Sequence, residues 1–196
     1  VPGLIYKDKD SVKRTLNPEP IDFFDINYDL LDESVRQTFP GYIQVITGKG
    51  CSFRCTFCYN SISGQKWRGK PMAELISEIK KIVTRYNTKE IYFRDDNFFQ
   101  RKERVKEFIS CYKENGFTFK WRATCRANYF KKDYINVEFL KELESVNCKM
   151  LKFGFESGSQ RMLDYLKKGN KVDTMRQLVS ALSEVKTIQG NYSFMI

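Results

Sequence analysis

The 196-residue chain contains no histidine. That absence removes Ser-His-Asp and Cys-His catalysis, since neither has a general base without the imidazole. It removes Cys3His zinc sites and His-ligated iron as well. The chain also lacks any apolar run near the ~20 residues that cross a bilayer, and its mean hydropathy is −0.52. Its first residues, Val1-Pro2-Gly3-Leu4, have neither the basic stretch nor the apolar stretch of a secretory signal. These absences predict a cytoplasmic protein with no membrane partner. No internal repeat and no low-complexity tract is present, so solenoids and linkers are also set aside.

What is present is a core-forming composition, 41% apolar and 15% aromatic, enough for one domain. Six cysteines without a secretory signal point to metal or redox use in a reducing compartment rather than to a disulfide framework. The net charge is +10. A nucleic-acid surface is one source of such a charge. The basic residues are, however, interleaved with acids, as in Lys102-Glu103-Arg104 and Lys141-Glu142, and a solvated lysine-rich surface is the plainer reading.

Residues 1 to about 40 read as a lead-in or connector. Leu4-Ile5-Tyr6 and Val12 to Thr15 flank a polar turn and suit a hairpin, and Asn17-Pro18-Glu19-Pro20 breaks regular structure. From residue 41 the pattern alternates. Strands are expected at 42–47, 90–94, 119–125 and 150–155, with a fifth beginning at Tyr192. Helices are expected after Pro71, around Val105 to Tyr112, around Leu140 to Val146, from about Gln160, and from Val172 to Val185. Strand-helix alternation predicts an α/β fold with a parallel sheet and outer helices, a partial (β/α) barrel of the TIM kind. The apolar run at Tyr192-Ser193-Phe194-Met195-Ile196 is cut at its last residue, so the expectation is a barrel truncated at about the fifth strand, over 41–196, from a longer protein.

The chemistry concentrates in Cys51-Ser52-Phe53-Arg54-Cys55-Thr56-Phe57-Cys58. The C-x3-C-x2-C spacing puts three thiolates on one short loop. A four-iron cluster wants four ligands, so three leave one iron open, whereas a structural zinc site is closed by four. The other polar clusters fall just past the ends of successive strands: Asp95-Asp96-Asn97, Arg126, and Glu156-Ser157-Gly158-Ser159. Parallel α/β sheets place ligands there.

The triplet resembles that of the radical S-adenosylmethionine (radical SAM) superfamily. The resemblance is sharpened by Ile91 to Phe99, by Trp121 to Asn128, and by Phe153 to Gln160 followed by Leu163 and Lys168-Gly169. These are similar to the second, third and fourth strand motifs of its cobalamin-binding subgroup. The resemblance implies that Cys51, Cys55 and Cys58 hold a [4Fe-4S] cluster whose open iron takes S-adenosylmethionine. It implies that reductive cleavage yields a 5′-deoxyadenosyl radical, used in the full-length form for a cobalamin-dependent methyl transfer or for another radical transformation. It implies a reductant partner such as flavodoxin or ferredoxin and a small-molecule or peptide substrate that the sequence does not identify. It places Asp95, Asp96 and Asn97 at the methionine amino group, Arg126 at the carboxylate, Glu156 near the methionine or ribose, and the Phe57 backbone at the adenine.

Other readings stand beside these. Asp95 to Asn97 suit a helix N-cap before Lys102, Arg126 suits a surface ion pair, and Ser157 or Ser159 suits a cap for the helix near Gln160. Gly48-Lys49-Gly50 reads as slack leading into the loop. Cys111, Cys125 and Cys148 read as small core residues, although one of them as a fourth ligand would make a zinc site. Two alternatives for the whole follow, a zinc-stabilised nucleic-acid-binding module and an inactive structural fragment. The family's later adenine-binding segment and sixth strand, and its preceding cobalamin domain, have no counterpart in these residues.

Overall fold

A computed structural model describes residues 3–16, 23, 26–61 and 66–195. The expected break at Asn17 to Pro20, and Ile196 of the fifth strand, lie outside them. The chain opens with β1 (Ile5–Asp8) and β2 (Ser11–Arg14), paired antiparallel around Lys9, whose φ of 53° closes the turn. A one-turn helix α1 (Glu33–Arg36) follows, with the Asp32 side chain accepting from the Ser34 N–H.

The main sheet then begins with β3 (Ile43–Val45). The short strands β4 (Gly48–Lys49) and β5 (Arg68–Gly69) pair with each other, not with the main sheet. Next come α2 (Met72–Tyr86), β6 (Glu90–Phe93), α3 (Lys102–Glu114), β7 (Lys120–Cys125), α4 (Val137–Ser145) and β8 (Cys148–Glu156). The helices α5 (Gln160–Tyr165) and α6 (Val172–Leu182) lead to β9 (Gln189–Phe194), which starts three residues before the expected Tyr192. The sheet order is β3-β6-β7-β8-β9, and every neighbouring pair is parallel. Sequential parallel strands joined by helical crossovers are an arc of a (β/α) barrel.

Side chains explain each element. In α2, Met72, Leu75, Ile76, Ile79 and Ile82 are buried at helical spacing behind Pro71, and Asn87 ends the helix at φ 51°. In the strands, one face is buried: Ile91 and Phe93, Trp121, Ala123 and Cys125, Leu151, Phe153 and Phe155. The alternate residues are more open, so the helices cover one face of the sheet. Phe93, Phe98, Phe108 and Trp121 pack as one aromatic knot, with ring centroids 4.9–5.8 Å apart, and Trp121 Nε1 donates to the Val146 carbonyl at 2.7 Å. The knot fixes the exit from β6, where Asp95 to Asn97 lie. Among the described residues, no helix is long and apolar enough to cross a membrane.

Candidate functional site

The cysteine loop is tied at its base. Gly48 and Lys49 pair with Gly69 and Arg68, bringing the two ends of the loop together. Lys70 donates its N–H to Thr47 O at 2.8 Å and its ammonium to the buried Glu78 carboxylate of α2 at 2.7 Å. Gly50 turns the chain at φ 80°, where a Cβ would lie 2.4 Å from Lys66 O. The Gly48-Lys49-Gly50 run is therefore not slack but the paired foot of the loop, a role hidden until β5 is found beside it.

Asp95 and Asp96 split their work. Asp95, 2% exposed, accepts the Thr47 N–H and the Thr47 hydroxyl, both at 2.6 Å. Burial pushes its carboxyl up to about 6, against the hydrogen bonds and the Arg104 charge that pull it down. It fastens the end of β3 and does not line the cavity described below. Asp96 accepts the Gly50 N–H at 2.8 Å and does line it. Asn97 precedes the 3-10 turn Phe98–Gln100 without a side-chain capping bond, and α3 has none either. The capping alternative for this trio is thereby set aside.

Each of the three cysteines has its own N–H···S donor. Asn97 Nδ2 lies 3.4 Å from Cys51 Sγ, Arg126 Nη1 3.4 Å from Cys55 Sγ, and Asn60 Nδ2 3.9 Å from Cys58 Sγ. The donors come from the end of β6, the end of β7 and the loop itself. Arg126 is no surface ion-pair residue. It is 8% exposed, stacked 3.7 Å from the Phe53 ring centroid, and donates also to Asn128 Oδ1 and to the Lys168 carbonyl. Among the described residues, two of its five N–H groups are left over. Asn97 Nδ2 also reaches Tyr129 OH at 2.7 Å, and its buried Oδ1 has no partner among the described residues.

The cysteines open on a cavity of about 250 Å³, whose wall also holds Phe57, Asp96, Arg126 and Glu156. Phe57 is 44% exposed, and the Lys168 ammonium lies 5.6 Å from its ring centroid. Glu156 leaves β8 at a register shift and takes φ 64°, a bulge that re-aims the side chain. Its carboxylate meets the buried Lys168 ammonium at 2.7 Å. Gly154 makes room: a Cβ there would stand 2.2 Å from Glu156 Oε1 and 2.7 Å from Lys168 Nζ. Ser159 precedes α5 without capping it, and the Ser157 hydroxyl instead accepts the Ser159 N–H.

Of the remaining cysteines, Cys148 is fully buried and Cys111 lies on α3. Cys125 is buried yet touches the cavity wall, and burial pushes its thiol up. Sequence reasoning missed Lys168, Lys152, Thr124 and Asn60 as wall residues. Asn60, two residues after Cys58, had a local signal; the others reach the cavity only through the fold.

The donor set fits an iron-sulfur cluster. Soft thiolates suit it, and its corners take ligands on separate irons. Among the described residues, no three Cys, Asp or Glu side chains converge on a point where one ion would sit.

Comparison with known proteins bears on the family and the fold. The model of the family described as "Radical SAM superfamily" matches residues 45–196. An uncharacterized methyltransferase of Pyrococcus horikoshii is 33% identical over 192 residues, covering 94% of this chain and 40% of the relative. The cytidylyl-2-hydroxyethylphosphonate methyltransferase of Streptomyces wedmorensis is 28% identical over 124 residues, covering 63% and 22%. The chain thus spans less than half the length of these relatives. Among solved structures, the cobalamin-dependent S-adenosylmethionine radical enzyme OxsB, with aqua-cobalamin and S-adenosylmethionine bound, superimposes with a TM-score of 0.77 at 22% identity. It covers all of this chain and 29% of that one. The radical S-adenosylmethionine methyltransferase TsrM of Kitasatospora setae gives 0.73 at 15% identity, covering 97% and 40%. These two likenesses establish the fold.

Proposed function

Because the chain belongs to the radical SAM superfamily, we propose that it is the cluster-bearing part of a cobalamin-dependent radical S-adenosylmethionine methyltransferase. The names of the Pyrococcus and Streptomyces relatives, and of OxsB and TsrM, support methyl transfer and cobalamin. The observation that carries the reading is the cavity on which three cysteines open, each with its own N–H···S donor. Cys51, Cys55 and Cys58 hold a [4Fe-4S] cluster, and S-adenosylmethionine occupies the cavity beside it. When bound, this pair supplies one-electron cleavage of a carbon-sulfur bond.

The chain's own residues bind and orient. Asp96 offers a carboxylate, and Asn97 an orphaned acceptor, to an ammonium. The two spare N–H groups of Arg126 offer positive charge to a carboxylate, while Lys168 neutralises and fixes Glu156. Glu156 keeps lone pairs for a hydroxyl, and Phe57 presents an apolar wall. Asp95 acts one step back, holding Thr47 and the root of the loop. Residues 1–40 connect to a preceding cobalamin domain, a reductant such as flavodoxin or ferredoxin delivers the electron, and the protein works in the cytoplasm.

Anaerobic reconstitution with iron and sulfide, read by electron paramagnetic resonance, tests this. A four-iron signal that shifts on adding S-adenosylmethionine is expected. A four-iron signal that does not shift would remove the S-adenosylmethionine site from these residues. Stoichiometric zinc in place of iron would overturn the reading in favour of a zinc-stabilised module.

A further inference from the structure

The inner face of a closed barrel is ordinarily packed with branched apolar side chains. Here the layer of the sheet that forms the floor of the cysteine cavity is polar and positively charged. The register pairs Thr124 with Lys152 and Lys152 with Asn191. Phe93 pairs with Ala123, and Arg94 extends the ladder by donating its N–H to Val45 O at 2.8 Å, so Arg94 lies level with Thr124. Arg94, Thr124, Lys152 and Asn191 thus form one row across four strands. Arg94 and Lys152 are both exposed, and Lys152 lines the cavity wall.

Among the described residues, the two cations of this row are unpaired. One layer lower, Arg122 is neutralised by Glu90 at 2.7 Å. Among the described residues, neither Arg94 nor Lys152 has an ion-pair partner. The Arg94 guanidinium is instead held 4.9 Å from the Tyr92 ring centroid, and Arg122 lies 5.2 Å from the same ring. An arginine fixed against a ring presents its fork in a defined direction, which suits two oxygens of one tetrahedral anion, while a lysine adds a point charge. Two unpaired positive charges are matched by a dianion. A carboxylate would answer only one of them.

We propose that Arg94 and Lys152 bind a phosphoryl or phosphonyl group of the substrate, placing it on the inner sheet face at the floor of the cysteine cavity. The proposal rests on the functional reading above and names the substrate class for that site.

The test is a calorimetric titration of the whole protein with phenylphosphonate, with benzoate as the monoanionic comparison. It is run before and after iron-sulfur reconstitution, and again with S-adenosylmethionine at saturation. Phenylphosphonate is expected to bind more tightly than benzoate and to remain bound when S-adenosylmethionine is present. Arg94→Gln and Lys152→Ala are each expected to weaken it about tenfold, the loss of one charge-assisted hydrogen bond. Lys141→Ala, on the exposed side of α4, is expected to leave it unchanged. No binding, equal benzoate affinity, equal loss in Lys141→Ala, or displacement by S-adenosylmethionine would each overturn the proposal. Iron content and the S-adenosylmethionine-induced spectral shift report on the functional reading separately, so the two fail in different measurements.

Discussion

Replacing Asp95 by asparagine should stabilise the protein at neutral pH, although the residue is buried and fully engaged. Its carboxyl, ordinarily at 3.8, is pushed up to about 6 by burial, against hydrogen bonds from Thr47 and Gly48 and the charge of Arg104. The folded state therefore holds this proton more tightly than the unfolded chain. The stability that the group contributes falls as pH rises from about 4 to about 6 and is flat above. Over that interval ionisation costs about 3 kcal/mol, at 1.36 kcal/mol per pH unit. Asp95→Asn removes the charge and keeps the shape. In the parent Asp95 accepts both the Thr47 N–H and the Thr47 hydroxyl; in the variant the amide oxygen should keep the first bond and the amide nitrogen should donate to Thr47 Oγ1, reversing the second. Urea unfolding of the iron-free protein between pH 4 and pH 7.5 measures this. The variant should gain up to about 3 kcal/mol over the parent at pH 7, with the gain closing towards pH 4. A difference that stays constant with pH, or a variant less stable at pH 7, would refute the reasoning.

Cys55→Ala should abolish iron binding after reconstitution, while Cys148→Ala, fully buried behind the sheet, should keep it; equal losses would count against the ligand assignment. Lys168→Met strands the buried Glu156 carboxylate and should cost about 3–5 kcal/mol in chemical unfolding, and adding Glu156→Gln should recover much of that. Asn97→Leu removes an N–H···S contact to Cys51 and should move the cluster midpoint to more negative potential, because such bonds favour the more negatively charged reduced form; an unchanged midpoint in an EPR-monitored redox titration would show that the 3.4 Å contact carries no electrostatic weight.

The alternation of strands and helices was legible because it depends on local periodicity. The buried residues of α2 repeat at helical spacing, and Ile91 with Phe93 alternates with Glu90 and Tyr92 as a half-covered strand does. The loop foot was not legible. Gly48-Lys49 looks like slack in one dimension and becomes a strand only when Arg68-Gly69 returns beside it. Asp95, Asp96 and Asn97 are consecutive and chemically alike on paper, yet one fastens Thr47, one faces the cavity and one touches Cys51. Backbone direction, not residue type, separates them.

Residue identity alone determined which chemistry was available: three clustered thiols, no imidazole, and polar residues punctuating the strand ends. Those are properties of spacing and composition, and short-range order carries them. The tertiary structure decided which groups meet. Lys168 reaches Glu156 across twelve residues, Arg126 reaches Cys55 across seventy-one, and Arg94 and Lys152 share a row through register. Such contacts depend on how strands pair and where a bulge turns Glu156, and these are set by packing of the whole sheet against its helices rather than by any local run of sequence.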